Sequence, residues 1–241
     1  MGQGWSWQGF ADYLFNPYIL GGVVTTVWLT LAAIAGGLVL GCGLALARVS
    51  KRGWLNRPAH LYIWLFRGTP LLVQLIIIYT GLPQMGIKLS VIESALVGLI
   101  MNEAAYLAEI VRGGIQSISA GQTNAARAMG FTGAQTLRYI VLPQAARLII
   151  PTLGNSINGL LKTTSVTSVI SMEELLRRTQ VLIQEKFMVL ELFLVAALYY
   201  LLLTTLWDLV QRRIENHFGR AYGTAAPDAK PVPAVELMEQ R

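Results

Sequence analysis

Between Asp12 and Arg48 the chain runs for 35 residues, Tyr13 to Ala47, without an Asp, Glu, Lys, Arg or His, and a second gap of 20 residues runs from Gly68 to Ile87. About 20 mostly apolar residues suffice to cross the hydrocarbon core of a bilayer as a helix. A water-soluble fold would have to bury several helices of that length in succession, so the chain is expected to be a polytopic membrane protein. Composition agrees: 54% of the 241 residues are hydrophobic and 13% are charged, where a soluble domain has roughly 45–50% and about 25%. The lone Cys42 lies inside the first apolar run, which leaves no disulfide framework.

Five spans are expected, at about 19–47, 58–82, 90–113, 146–170 and 188–211, making 19–218 one all-α transmembrane domain. The second span carries Pro70 and ends near Pro83, which a span tolerates where neighbouring groups satisfy the freed carbonyl. Of the 19 Lys and Arg residues, 14 fall on the side holding 48–67, 112–147 and the C-terminal segment. Four (Lys88, Arg177, Arg178 and Lys186) fall on the other, and Lys162 alone lies inside a span. Basic residues collect on the cytoplasmic side, so the N-terminus is expected outside, in the periplasm, and the C-terminus inside. The net charge of +6 then reports orientation rather than nucleic-acid binding. Residues 1–18, rich in Trp, Tyr and Phe, read as a periplasmic interfacial segment; with no basic stretch before the late apolar run, no signal peptide is expected. Residues 219–241 are Ala/Pro-rich with mixed charge and read as a disordered cytoplasmic tail.

One cytoplasmic loop is not a plain connector. Residues 117–143 read SISAGQTNAARAMGFTGAQTLRYIVLP. Ser119 with Gln122 and Thr132 with Gln135 have the spacing of two capping boxes, and Gly130 stands where a first helix would end in the left-handed conformation. Two short helices are therefore expected, 120–129 and 133–141, with Pro143 stopping the second. Ala125, Ala126, Ala128 and Met129 give the first a small surface that another backbone or a groove can approach closely. A DNA-reading pair of helices would need more cations than Arg127 and Arg138 for phosphate contact. A docking element for a cytoplasmic protein fits better.

The spacing Asn124-Ala125-Ala126, three residues, Gly130, nine residues, Ile140, one residue, Leu142-Pro143 resembles the coupling loop of bacterial ABC importer permeases. The blocks FRGTPLLVQL (66–75), YTGLP (79–83), AYLAEIVRGGIQSI (105–118) and LPQAARLIIPTLGNSINGLLKTTSV (142–166) resemble the polar amino-acid branch of that family. The resemblance covers about 19–218. It implies the five-span, type I importer fold, with coupling residues Asn124, Ala125, Ala126, Met129 and Gly130 in the coupling loop 119–143. It also implies separate ABC ATPase subunits that use ATP and Mg, a second permease (an identical copy or a paralogue) and a periplasmic amino-acid-binding protein. The expected location is a bacterial inner membrane. Asn124 stands where the family usually has Glu.

Lys162 is the informative charge, since an ionisable group inside a span is costly and usually marks a pathway or a pair. Asn155, Asn158, Lys162 and Ser165 fall on one helical face, which suits a cavity or another helix better than lipid. A structural reading has this stripe hydrogen-bonding between helices while Lys162 snorkels. The functional reading has Lys162 holding a substrate carboxylate, with Thr163, Thr164, Ser165, Asn155 and Ser156 as further contacts. The resemblance supports substrate contacts here, although Thr163 replaces the Asp of the family's Lys-Asp-Thr-Ser-Leu. Glu109 and Arg112, three apart, read as a structural ion pair. Glu103 is left with three roles: balancing Lys162, binding a cationic side chain, or being protonated.

No phosphate-binding loop precedes Lys162, because Leu161 stands where that motif needs Gly, and His60 and His217 are isolated, so neither enzyme chemistry, a bound cofactor nor a metal is expected. An ion-coupled secondary transporter or a channel would share the hydropathy. Neither has a use for a coupling helix, and a single Lys makes a poor ion path.

Overall fold

A computed structural model describes residues 5–220, with side chains through His217. All regular structure among the described residues is helical. In chain order it comprises α1 (Trp7–Leu14), α2 (Pro17–Val49), α3 (Gly53–Gly68), α4 (Leu71–Ile76), α5 (Val91–Gln116), α6 (Ala120–Ala128), α7 (Gly133–Thr136), α8 (Leu142–Thr163), α9 (Leu175–Lys186) and α10 (Val189–Arg220). The expected tail at 219–241 falls almost wholly outside the described residues.

Helix α1 leaves Trp7 exposed, as is Phe15 just beyond it. It is nevertheless tied to α10, because the Ser6 N–H donates to Glu191 at 2.8 Å and the Tyr199 hydroxyl donates to the Leu14 carbonyl.

Among the described residues, three helices are long and apolar enough to cross a bilayer: Pro17–Val49, Val91–Gln116 and Val189–His217. The expected second span is instead a broken pair, Gly53–Gly68 and Leu71–Met85, bent by 104°. The break sits at Thr69-Pro70, where both residues are extended, as the steric demand of proline on its predecessor requires. Polar side chains cover the carbonyls it frees. Gln74 Nε2 donates to the carbonyls of Phe66 (2.9 Å) and Thr69 (3.1 Å), and Asn102 of α5 holds Gln74 Oε1 at 3.0 Å.

The expected fourth span, 146–170, is α8 followed by a 3-10 segment, Thr164–Ile170. It is not among the helices apolar enough to cross unaided, for it carries the polar stripe of Asn155, Asn158 and Lys162. Nor does Pro143 stop a helix, contrary to the sequence expectation. Helical backbone continues from Gly133 to Thr163 because a π-helical turn, Leu137–Val141, absorbs the proline: the Leu142 N–H bonds to Leu137 O, five residues back. The same device precedes Pro83, where the Leu82 N–H bonds to Ile77 O. A π-bulge relieves the clash and the missing donor that proline imposes.

The scaffold is the α2–α5 contact, the most extensive between any two helices. Its α2 face is the ladder Ala33, Gly37, Gly41 and Ala45, all buried. A Cβ added to Gly41 would lie 3.0 Å from the Ala104 carbonyl oxygen, so the two backbones touch. Small residues at four-residue spacing permit this approach in membrane helices, where packing rather than water exclusion drives association. At the other end of the molecule α9 packs on α2 through Gly22, and the fully buried Glu174 caps α9 by accepting from the Leu176 and Arg177 N–H groups. Burial pushes that carboxyl above the usual carboxylate range, against those N–H donors.

Candidate functional site

Two features stand out: an exposed helical module at one end of the molecule and a polar seam between α8 and α10. One continuous helical run joins them.

The module is α6, the turn at Gly130, and α7. Gly130 has φ +86°. Its N–H bonds to Arg127 O at 2.9 Å, and the Phe131 N–H reaches back to Ala126 O at 3.1 Å. This pair of bonds is the Schellman C-cap, which requires the left-handed conformation that glycine adopts without a Cβ penalty. Thr132 and Gln135 form the expected capping box. Ser119 does not: its side chain makes no cap bond, so the second expected box is absent and α6 starts without one. Ala126 is the buried residue of α6, which packs on α7 and the π-helical turn. Asn124, Ala125 and Met129 are exposed, Met129 at 68%. One face of α6 is therefore fixed and the other is bare.

The seam is built from both helices, and the sequence reading saw half of it. Asn158 Nδ2 donates to Asp208 Oδ1 at 2.6 Å, and Trp207 Nε1 donates to the Gly154 carbonyl at 2.8 Å. Gln211 lies against Gly154, reaching Pro151 O at 3.3 Å and Glu215 at 2.7 Å. Thr204, Asp208, Gln211 and Glu215 thus make a second polar stripe at helical spacing. That spacing was the available signal, placed where the last expected span gives way to the charged residues Arg212 and Arg213. The Lys162 side chain is exposed and makes no hydrogen bond or ion pair among the described residues.

Of the other expected contacts, Asn155 is exposed. Thr163 and Ser165 turn their hydroxyls onto the carbonyls of Gly159 and Lys162. Thr164 is wholly buried, donating to Leu161 O, so it supports the wall from behind. Ser156 faces away from the seam and donates to Glu103 Oε1 at 2.5 Å. Glu103 itself is buried against Gly37 of α2. Of the three roles open to it, balancing Lys162 is not realised in this structure.

Glu109 and Arg112 form a bidentate pair, Nε to Oε1 at 3.0 Å and Nη2 to Oε2 at 2.6 Å. Arg67 approaches the same carboxylate at 3.8 Å while its guanidinium lies over the Tyr106 ring. No cluster of His, Cys, Asp or Glu able to hold a metal exists among the described residues.

A multi-pass helical membrane subunit with an exposed helical module and a hydrophilic seam suits a transport permease. The chain belongs to the family described as the binding-protein-dependent transport system inner membrane component, whose model matches residues 37–220. It is similar to the probable amino-acid ABC transporter permease protein YckA of Bacillus subtilis (strain 168), with 35% identity over 215 residues covering 86% of this chain and 95% of the relative. It is also similar to the octopine transport system permease protein OccM of Rhizobium meliloti, at 42% identity over 78% of this chain and 82% of that one. Among solved structures, that of an amino acid ABC transporter with histidines superposes with a TM-score of 0.83 at 33% identity, covering 88% of this chain and 100% of the other. The chain is a permease subunit of an ABC importer.

Proposed function

We propose that this permease carries a polar amino acid, or an opine-like derivative of one, across a bacterial inner membrane, with five spans, the N-terminus outside and the C-terminus inside. A second permease, identical or paralogous, closes the pathway. A periplasmic binding protein delivers the substrate, and separate ATPase subunits consume ATP and Mg. The observation that carries the reading is the unbroken helical run from Gly133 to Thr163. It ties the bare module at one end to Lys162 at the other, so movement of a docked ATPase is delivered to the seam as a rigid-body shift.

In this reading Asn124, Ala125, Ala126, Met129 and Gly130 form the ATPase contact, with Ala126 setting the height of α6 from beneath. The seam offers a zwitterion both charges it needs. Lys162 takes the carboxylate, Asp208 stands one helical turn away beside Asn158 for the ammonium group, and Asn155 adds an amide. Thr163, Thr164 and Ser165 hold the backbone of that wall, and Ser156 ties it to Glu103 of α5. Glu109–Arg112 is a structural pair that fixes the end of α5. An ion-driven transporter has no use for the module, and this separates the two readings in one experiment. In proteoliposomes loaded with ATP, uptake of the amino acid is expected only when the ATPase subunits and the binding protein are both present. Uptake by the permease alone would overturn the importer reading.

A further inference from the structure

The geometry points to a site for the phosphodiester headgroup of an anionic phospholipid, in the cavity between the end of α2 and the side of α3. From Tyr13 to Ile92 the chain contains no Asp or Glu, yet α3 and the turn before it carry Lys51, Arg52, Arg57, His60 and Arg67. Arg57, His60, Leu61 and Trp64 fall at i, i+3, i+4 and i+7, one face of α3. With Arg48 and Asn56 they line a cavity of about 530 Å³. A second cavity of about 370 Å³ shares Arg48, His60 and Trp64 and extends to Arg67, Tyr106 and Glu109.

The cations of this cavity are largely uncommitted. Arg57 and His60 make no hydrogen bond or ion pair among the described residues. Arg48 is held in place by Asn56: its Nη1 donates to Asn56 Oδ1 at 2.6 Å, and Asn56 Nδ2 returns a bond to the Arg48 carbonyl at 2.6 Å. Its Nε is enclosed without an acceptor. The one acid lining either cavity is Glu109, at the far side of the second, and both its oxygens already accept from Arg112. An anion therefore meets fixed and mobile cations with no unpaired carboxylate opposing it. A guanidinium presents paired donors that match phosphate oxygens.

The surroundings select the source of that phosphate. Trp54, Leu61 and Trp64 are 69%, 61% and 65% exposed around the basic cluster. Tryptophan at the level of the headgroups and apolar side chains beyond it suit acyl chains continuing from the phosphate. A free phosphate or a soluble metabolite would gain nothing from them. Recognition uses only charge and this apolar rim, so it holds whichever way the chain is inserted and stands apart from the transport reading.

The full-length chain in nanodiscs tests this through its own fluorescence. Phosphatidylglycerol with brominated acyl chains should quench tryptophan more than brominated phosphatidylcholine at equal mole fraction, and Trp64→Phe should remove much of the difference. The double variant Arg57→Gln/His60→Gln should raise the phosphatidylglycerol fraction for half quenching by about tenfold. Both side chains are exposed and without partners, so the fold loses no contact; unchanged elution and helix content check this. Arg212→Gln/Arg213→Gln, which removes basic residues elsewhere, should leave quenching as it was. Equal quenching by the two lipids, or equal loss in the two double variants, would overturn the site. So would displacement of the lipid by millimolar inorganic phosphate or glycerol phosphate, which would make the cavity a free-phosphate site.

Discussion

The α2–α5 contact and the α8–α10 contact are both close helix pairings, made from opposite materials. The first is a ladder of Ala33, Gly37, Gly41 and Ala45 against Ala104, Leu107 and Ala108, with Glu103 packing its methylenes on Gly37. The second is stitched by amides, an indole and carboxylates, with Lys162 and Asp208 left exposed along its edge. Close-packed small residues tolerate no displacement, because any shift opens a void or a clash. Hydrogen bonds between long side chains can be exchanged for water or for a ligand at small net cost. One pairing is a scaffold, therefore, and the other is a surface that can change partners. Five substitutions set the two, and the link between them, against each other.

The largest effect is expected at Gly41. Leucine there would drive its side chain into the α5 backbone, and overpacking of this kind costs about 1–3 kcal/mol or more. Gly41→Leu should lower the thermal midpoint of the detergent-purified subunit and its yield, read by a fluorescence melting assay. An unchanged midpoint would mean that α2 and α5 are not in backbone contact. Lys162→Ala should leave that midpoint alone. Losing a charged hydrogen bond to substrate, worth about 1.5–3 kcal/mol, should instead raise by about tenfold or more the substrate-loaded binding protein needed for half-maximal ATP hydrolysis by the assembled complex. An unchanged dose response would return Lys162 to a snorkelling role.

The same contrast explains what could be read in the sequence. Long charge-free runs are whole-segment signals, so the helical membrane class followed directly from them, while the family was legible in the matched blocks from 66 to 166. The Ala33-Gly37-Gly41-Ala45 ladder has a regular four-residue spacing but was not among the expectations, whereas the turn at Gly130 and the cap at Thr132 were legible because capping and a left-handed turn are local chemistry. Three things were not. The 104° break needed more than Pro70, since the same span tolerates Pro83 through a π-turn, and what differs is that Gln74 and Asn102 satisfy the opened carbonyls. The continuity through Pro143 depends on the same π-turn, which no composition rule announces. The seam was half-seen because Asp208, Gln211 and Glu215 follow the apolar stretch of α10, among charged neighbours such as Arg212 and Arg213, and only their pairing with Asn155 and Asn158 gives them meaning. Thr164 shows the reverse error, a hydroxyl in the right stretch that turns inward.

A third substitution acts on the link between the two pairings. Gly130 sits at φ +86° with open space where a Cβ would go, so the cost of a side chain there is conformational. A β-branched residue in the left-handed region costs about 1–2 kcal/mol. Gly130→Val should thus distort the Schellman turn without touching the α2–α5 scaffold. Membrane insertion and melting are expected to be unchanged while co-purification with the ATPase, or coupled uptake, falls several-fold. Normal coupling would remove the module from the ATPase contact.

The smallest effect concerns how that module is held. Thr132 and Ser119 have the same capping spacing, but only Thr132 uses it, accepting from the Gln135 N–H while Gln135 Oε1 accepts from the Thr132 N–H at 2.8 Å. Removing an N-cap side chain that is bonded costs about 1 kcal/mol, roughly a fivefold change in a local opening equilibrium. Thr132→Ala should therefore speed amide hydrogen exchange at 133–136 by about fivefold, whereas Ser119→Ala should leave 120–123 within about twofold. The asymmetry gives α7 a fastened start, continuous with α8 and hence with the seam, and gives α6 a start that can adjust to whatever surface receives it. If the two alanines prove equal, α6 is as rigidly capped as α7, and the adaptable half of the module must lie at the Gly130 turn alone.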